Sequence, residues 1–240
     1  MMTIVLVESP DKLDKRKTVM NIETISSFDE IKENKDENFA FVMEATEDNV
    51  RSVTKHTDRV FLPSTSLMTF NPAVDCYVYF DLESYPFFQK FKKLMGQLQQ
   101  SKGVLRFRRT MLEENQALVL SDLYVISSIF GDLESVHIKQ SKPQSGSFHM
   151  IMMVNFGKGI MSHIEYTVAN EERIELELSG IKSIVEFNSD HMKPMQPESK
   201  TRLPLSYSVD DIIASARKVD DNMLKSLHAI RELIEGRVSV

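Results

Sequence analysis

The chain predicts two units of different class: a small α/β unit with a parallel sheet over residues 1–72, and a larger α+β domain over residues 73–240. The sheet of the larger domain is open, mostly antiparallel and packed against helices. Three observations carry this prediction. In the front third, short β-branched runs alternate with short helical segments, the pattern of crossovers between parallel strands. Residues 147–188 read as consecutive strands, with Gly157-Lys-Gly159, Asn170-Glu-Glu and Ser179-Gly180 at their turns. Turns of this kind between alternating runs are a strong hairpin signal. Two helical stretches, 115–130 and 209–235, supply apolar surface to cover a sheet.

Taken in order, residues 3–7 are a short β-branched strand, and residues 11–17 a charged surface turn or helix. Residues 22–25 are extended. Ser26 or Ser27 caps a brief helix with acids in its first turn. Residues 39–43 and 59–62 are further strands, the latter stopped by Pro63, and between them Thr46 starts a helix through Val50 and Val53. Residues 75–80 are extended. From Ser84 to about residue 99, Phe87, Phe88, Phe91, Leu94, Met95 and Leu98 recur at helical spacing, with Pro86 suited to the first turn. Residues 103–110 form a strand in which Arg106 and Arg108 alternate with packed residues on a solvated face. Residues 133–139 follow as a strand, residues 192–205, with three prolines, as a loop, and Gly236 stops the last helix.

Composition excludes several classes. A net charge of -6 argues against a nucleic-acid surface, because phosphate binding needs a clustered cationic face. Cys76 is the single cysteine, which rules out an internal disulfide and a cysteine-based metal cluster, and it reads as a small buried hydrophobe. No apolar run is long enough to span a bilayer, and the N-terminus lacks a basic lead and a cleavage site. The expected location is the cytoplasm, with no membrane partner.

The sheet region carries an interface expectation. In residues 173–178, Ile174, Leu176 and Leu178 share one face, while Arg173, Glu175 and Glu177 share the other. Residues 148–156 differ: Met150, Met152 and Val154 face one way, yet Ile151 and Met153 face the other. A strand apolar on both faces needs cover on both, and the helices cover one. The expectation is a homo-oligomer through the outer sheet face, with Ile151, Met153, Arg173, Glu175 and Glu177 at the contact, the charged residues as a polar rim or in cross-subunit pairs.

Chemistry is scarce. The first glycine is Gly96, so the front unit holds no glycine-rich phosphate cradle. Glu8, at the end of the first strand, is the one cofactor-binding candidate: either it receives ribose hydroxyls or it is a solvated strand-end carboxylate. His149 and His163 flank a hairpin as candidate cross-strand neighbours near Glu165, but alternating polar residues on a half-exposed sheet produce such groupings by chance, and no metal is expected. There is no Gly-x-Ser-x-Gly nucleophile turn. Asp210-Asp211 and Asp220-Asp221 read as solvated pairs on an exposed helix.

Several stretches together resemble the glucose–fructose oxidoreductase and inositol dehydrogenase family, Gfo/Idh/MocA. They are Val78-Tyr-Phe-Asp-Leu-Glu-Ser-Tyr-Pro-Phe-Phe, Asp122-Leu-Tyr-Val-Ile-Ser-Ser-Ile-Phe-Gly131, Asn155-Phe-Gly-Lys-Gly-Ile160 and the closing run from Asn222 through Gly236-Arg-Val238. The resemblance implies a Rossmann-like front domain, shortened here, and a back domain with an open sheet on which oligomers are built. It also implies NAD(P)-dependent chemistry on sugars and related small molecules. The departures are specific. The chain is expected to begin at the family's second strand, without its glycine loop. Leu62 stands in the place of the lysine of a Glu-Lys-Pro turn. Ser121 and Tyr124 stand in the places of a His-x-x-Asp pattern, and Asp81-Leu-Glu83 replaces an Asn-Arg-Arg contact. No catalytic residue carries over, since hydride transfer needs both a bound nicotinamide and a proton donor or acceptor.

Two function classes follow. The first is an oxidoreductase-like protein without independent NAD(P)-dependent catalysis, expected to use no cofactor and acting as a binding or assembly subunit, alone or beside a complete dehydrogenase. The alternative is an active NAD(P)-dependent reductase or dehydrogenase of a sugar or related small molecule, with an atypical or partner-completed site.

Overall fold

The computed structural model describes residues 3–7, 12–19, 21–25, 38–42, 47–53, 59–69, 76–98, 102–141, 148–157, 159–181, 183–193, 196–236 and 238–239. In chain order the elements are β1 (Thr3–Val7), β2 (Asn21–Ile25), β3 (Asn38–Val42), α1 (Glu47–Val53), β4 (Val60–Pro63), β5 (Tyr77–Tyr79), α2 (Asp81–Ser84), α3 (Pro86–Leu98) and β6 (Gly103–Met111). There follow α4 (Gln116–Phe130), β7 (Leu133–Gln140), β8 (His149–Phe156), β9 (Ile160–Val168), β10 (Arg173–Gly180), β11 (Ile184–Asn188), β12 (Asp190–Lys193) and β13 (Gln196–Arg202). The last are α5 (Val209–Ser215), β14 (Arg217–Lys218), α6 (Asp221–Glu235) and β15 (Val238–Ser239). The chain divides into two compact units, residues 1–89 with 206–225, and residues 90–205 with 226–240. The first unit thus takes in β5, which lies beyond the boundary at residue 72 read from the sequence, because β5 pairs in parallel with β4.

In the first unit β1 to β5 are parallel in the order β2-β1-β3-β4-β5, and the short β14 closes the far edge antiparallel to β5. The chain steps from β1 outward to β2 and then returns to the other side of β1, so the strand order reverses there. That reversal is the mark of a doubly wound sheet, in which the strand beside the switch point is the first. The unit is thus a shortened doubly wound sheet, with β1 beside the point where the order reverses. Between β1 and β2 the described residues carry one short 3₁₀ helix, Lys15–Lys17, capped by the Asp14 side chain.

In the second unit seven strands among the described residues form one sheet in the order β11-β10-β6-β9-β8-β7-β15, with mostly antiparallel pairs. β6 pairs antiparallel with β10 and parallel with β9. The expectation of consecutive hairpins therefore holds for β8 and β9 and for β10 and β11, and fails between β9 and β10, because β6 inserts there. The tight turn after β8 uses Gly159 at φ 77°, a conformation open to glycine without a Cβ penalty. Gly103 faces Gly180 across the β6–β10 pair, where a Cβ would lie 2.8 Å from the Ser179 carbonyl oxygen.

One face of this sheet is the core. Leu105, Phe107, Met152, Ile164, Tyr166, Ile174 and Leu176 are buried there, and each large apolar side chain so buried contributes about 1.5–3 kcal/mol. α4 supplies buried Leu123, Val125 and Ile126, as its near-continuous apolar sequence predicts, and Phe130 packs against both Phe91 and Phe156. Two further expectations are corrected. Residues 192–205 are not all loop: β12 and β13 pair antiparallel, and an edge strand tolerates Pro197. Residues 209–235 are two helices, not one. The break is written in caps: Ser208 and Asp211 form a capping box on α5, and the Asp220 carboxylate accepts from the Met223 amide at the start of α6. One member of each aspartate pair, Asp211 and Asp220, thus holds a helix start. Ser208→Ala is expected to cost about 1 kcal/mol by chemical denaturation, with Ser208→Thr retaining most of it. The predicted helix after Ser26 lies outside the described residues.

Candidate functional site

Two regions bear on function, one in each unit. In the first unit it is the carboxyl edge of the parallel sheet, where doubly wound folds bind their ligands. Asp81 follows β5 at this edge. Its Oδ2 accepts from Lys12 Nζ at 3.3 Å and from the Tyr85 hydroxyl at 3.2 Å. Two residues on, buried Glu83 takes a two-oxygen contact from Arg217 Nη2, both at 2.7 Å, and that guanidinium lies over the Phe80 ring. Leu62 is fully buried. Glu8 lies outside the described residues.

In the second unit it is the outer face of the seven-stranded sheet. The residues alternating with the core set emerge here: Arg106 and Arg108 on β6, His163 and Glu165 on β9, Ile151 and Met153 on β8, and Arg173, Glu175 and Glu177 on β10. All five predicted interface residues thus share one face. Register aligns Glu175, Arg108, Glu165 and Ile151 in one row across four strands, and Glu177, Arg106, His163 and Met153 in the next. Arg108 lies 3.1 Å from Glu165 and 3.3 Å from Glu175, Arg106 3.4 Å from Glu177, and Arg173 also contacts Glu175. The charged residues therefore pair within the chain. Exposed pairs of this kind contribute about 0–1 kcal/mol each. Beside them sit Val104, Met153 and Met161, at 41%, 41% and 49% exposure, with Val104 directly opposite Met161. The outer face is thus an apolar patch bordered by ion pairs.

The two histidines do not meet. His149 lies opposite Thr167, with Nδ1 2.8 Å from its hydroxyl oxygen, whereas His163 lies opposite Met153. Among the described residues no group of three His, Cys, Asp or Glu side chains could hold a metal ion.

A third cluster escaped the sequence reading. Arg109 points into the core with its side chain 1% exposed, and its Nη1 donates to both oxygens of Asp122 at 2.9 and 3.0 Å. The Tyr166 hydroxyl donates to the same carboxylate at 3.3 Å. Burial, reinforced by the Asp122 charge, pushes the Tyr166 phenol well above its ordinary value, so it stays a donor. Parity could have found this cluster: Arg109 shares the face of Leu105, Phe107 and Met111, and Asp122 is the one carboxylate in α4. Ser121 is buried and Tyr124 half-buried.

No family model matches the chain, and no curated protein does. Solved structures do. A probable dehydrogenase from Thermotoga maritima aligns over 100% of this chain and 91% of its own, with a TM-score of 0.56 at 14% identity. The scyllo-inositol dehydrogenase from Lactobacillus casei, with bound NAD(H) and scyllo-inositol, aligns over 100% and 90%, with a TM-score of 0.54 at 12% identity. A myo-inositol dehydrogenase from Corynebacterium glutamicum aligns over 98% and 89%, with a TM-score of 0.55 at 10% identity. At such identities the likeness is one of fold, and over its whole length the chain has the fold of these Gfo/Idh/MocA-type oxidoreductases.

Proposed function

We propose that this is an oxidoreductase-fold protein that works by binding and assembly and lacks independent NAD(P)-dependent catalysis. The observation that carries the reading is the first crossover. A dinucleotide fold sets the pyrophosphate on glycine-loop amides at the N-terminus of a helix following its first strand. Here no glycine precedes Gly96, and the described residues between β1 and β2 carry a single short 3₁₀ helix. Supporting it, Leu62 is buried, Asp81 and Glu83 are engaged by Lys12 and Arg217, and the Asp122 carboxylate is held by Arg109. Titration with NADH and NADPH is expected to give no binding tighter than about 1 mM by calorimetry, the range left when the pyrophosphate loses its helix-terminus contacts. A micromolar dissociation constant would turn the reading toward an active NAD(P)-dependent reductase.

The assembly part of the proposal is a two-fold homodimer through the outer sheet face. A patch built on Val104, Met153 and Met161, bordered by charges that pair within the chain, suits contact with a second copy of itself, because the apolar side chains need cover. A complete dehydrogenase of the same fold is the other partner such a face would accept. Among the described residues no helix is long and apolar enough to cross a membrane. The proposal places the protein in the cytoplasm, where Cys76 stays reduced.

A further inference from the structure

The segment after β1 does more than connect two strands. Residues 12–14 run alongside Tyr207: the Asp14 amide donates to the Tyr207 carbonyl at 3.0 Å, and the Tyr207 amide donates to the Lys12 carbonyl at 3.2 Å. Further along, the Val209 amide donates to the Thr18 hydroxyl at 3.2 Å and the Val19 amide to Asp210 Oδ2 at 2.8 Å. The side chains reach in opposite directions. Lys12 reaches Asp81, just past β5, whereas Lys15 Nζ lies 3.2 Å from the Thr24 hydroxyl on β2. In the sheet β1, β3 and β4 lie between those two strands. The segment therefore lies across the carboxyl edge, the place where sheets of this topology receive a ligand.

What Lys12 occupies is a built pocket. Asp81 is 16% exposed, and the Lys12 side chain 24%. The carboxylate also takes a hydrogen bond from the Tyr85 hydroxyl, and burial, reinforced by the Asp81 charge, holds the Tyr207 phenol well above its ordinary value. The two rings pack with centroids 5.4 Å apart, and the Tyr79 ring stands edge-on to Tyr207. A part-buried carboxylate among tyrosine rings is a site for a cation carrying N–H donors.

We propose that residues 12–19 are a strap closing the carboxyl edge of the first sheet, with the Lys12 ammonium as the tethered occupant of a primary-ammonium pocket built by Asp81, Tyr85 and Tyr207. This deepens the reading of the first sheet given above: the edge lacks a phosphate cradle, and the chain's own cation fills it. A ligand for this edge has to displace the strap.

Hydrogen exchange on the full chain tests it. The amides of Asp14, Val19, Tyr207 and Val209 are expected to exchange together and slowly, and Lys12→Ala and Asp81→Asn to speed all four about tenfold, leaving the amides of β6 and β9 unchanged. Ethylammonium added to Lys12→Ala is expected to restore protection, and tetramethylammonium, which has no N–H to donate, to fail. Free exchange of the four amides in the unmodified chain overturns the strap, as does unchanged exchange in both variants. Equal effects of the two amines overturn the ammonium pocket. Free exchange without NADH binding removes the strap and leaves the proposed function standing. NADH binding at micromolar concentration with the four amides still protected removes both.

Discussion

Replacing Arg109 by Met is expected to destabilise the second unit by about 3–5 kcal/mol, and Asp122→Leu by a similar amount, because each leaves its partner charged and buried with no counter-ion. Both groups are out of water, at 1% and 0% side-chain exposure, so relief by solvent is not available without opening the core. The double variant Arg109→Met/Asp122→Leu should recover most of the loss. Removing both charges also removes the desolvation cost, and methionine and leucine suit a face already lined by Leu105, Phe107 and Ile164. Tyr166 would then lack its acceptor, so adding Tyr166→Phe should recover more. Urea denaturation of the four proteins measures this. A single variant within 1 kcal/mol of the unmodified chain, the scale of an exposed pair, would show that the pair is far less buried than its geometry implies.

Met153→Lys is expected to convert a dimer into a monomer at about 20 µM, a concentration at which an interface of standard size stays assembled. The residue is 41% exposed on the outer face, between His137 on β7 and His163 on β9, so an added ammonium meets no carboxylate directly across either strand. Burying it against a second copy leaves a desolvated charge, which costs several kcal/mol per copy. Met161→Lys should act in the same way, whereas Met153→Leu should remain dimeric. None of these substitutions touches the core face, so far-ultraviolet circular dichroism should not change. Sedimentation of the unmodified protein as a monomer at that concentration would end the dimer proposal.

Much of this architecture was legible in the residues because it depends on short-range pattern. The inward parity of Ile174, Leu176 and Leu178, the outward parity of Ile151, Met153, Glu175 and Glu177, and the apolar run of α4 all follow from period 2 or period 3.6. The missing glycines of the front unit needed only counting. Some of what was missed was also local. Ser208-Val-Asp-Asp211 is a capping box in plain sequence, and Asp220 caps the next helix start, yet both aspartate pairs read as solvated charges when residues 209–235 read as one long helix.

By itself the sequence determined the class of each unit, which faces are buried, and the absence of any glycine before residue 96. All three depend on the identity and spacing of neighbouring residues. Only the tertiary structure decided the rest, because each remaining feature joins residues far apart in the chain. It put β6 between β9 and β10, so that Arg106 and Arg108 meet glutamates some 57 to 71 positions later. It set β1 between β2 and β3, beside the point where the strand order reverses. It brought Lys12 to Asp81 and Tyr207, and Arg109 to Asp122 and Tyr166. A charge on a period-2 strand looks the same whether its face meets water or a carboxylate from elsewhere, and closing that distance is a property of the folded chain.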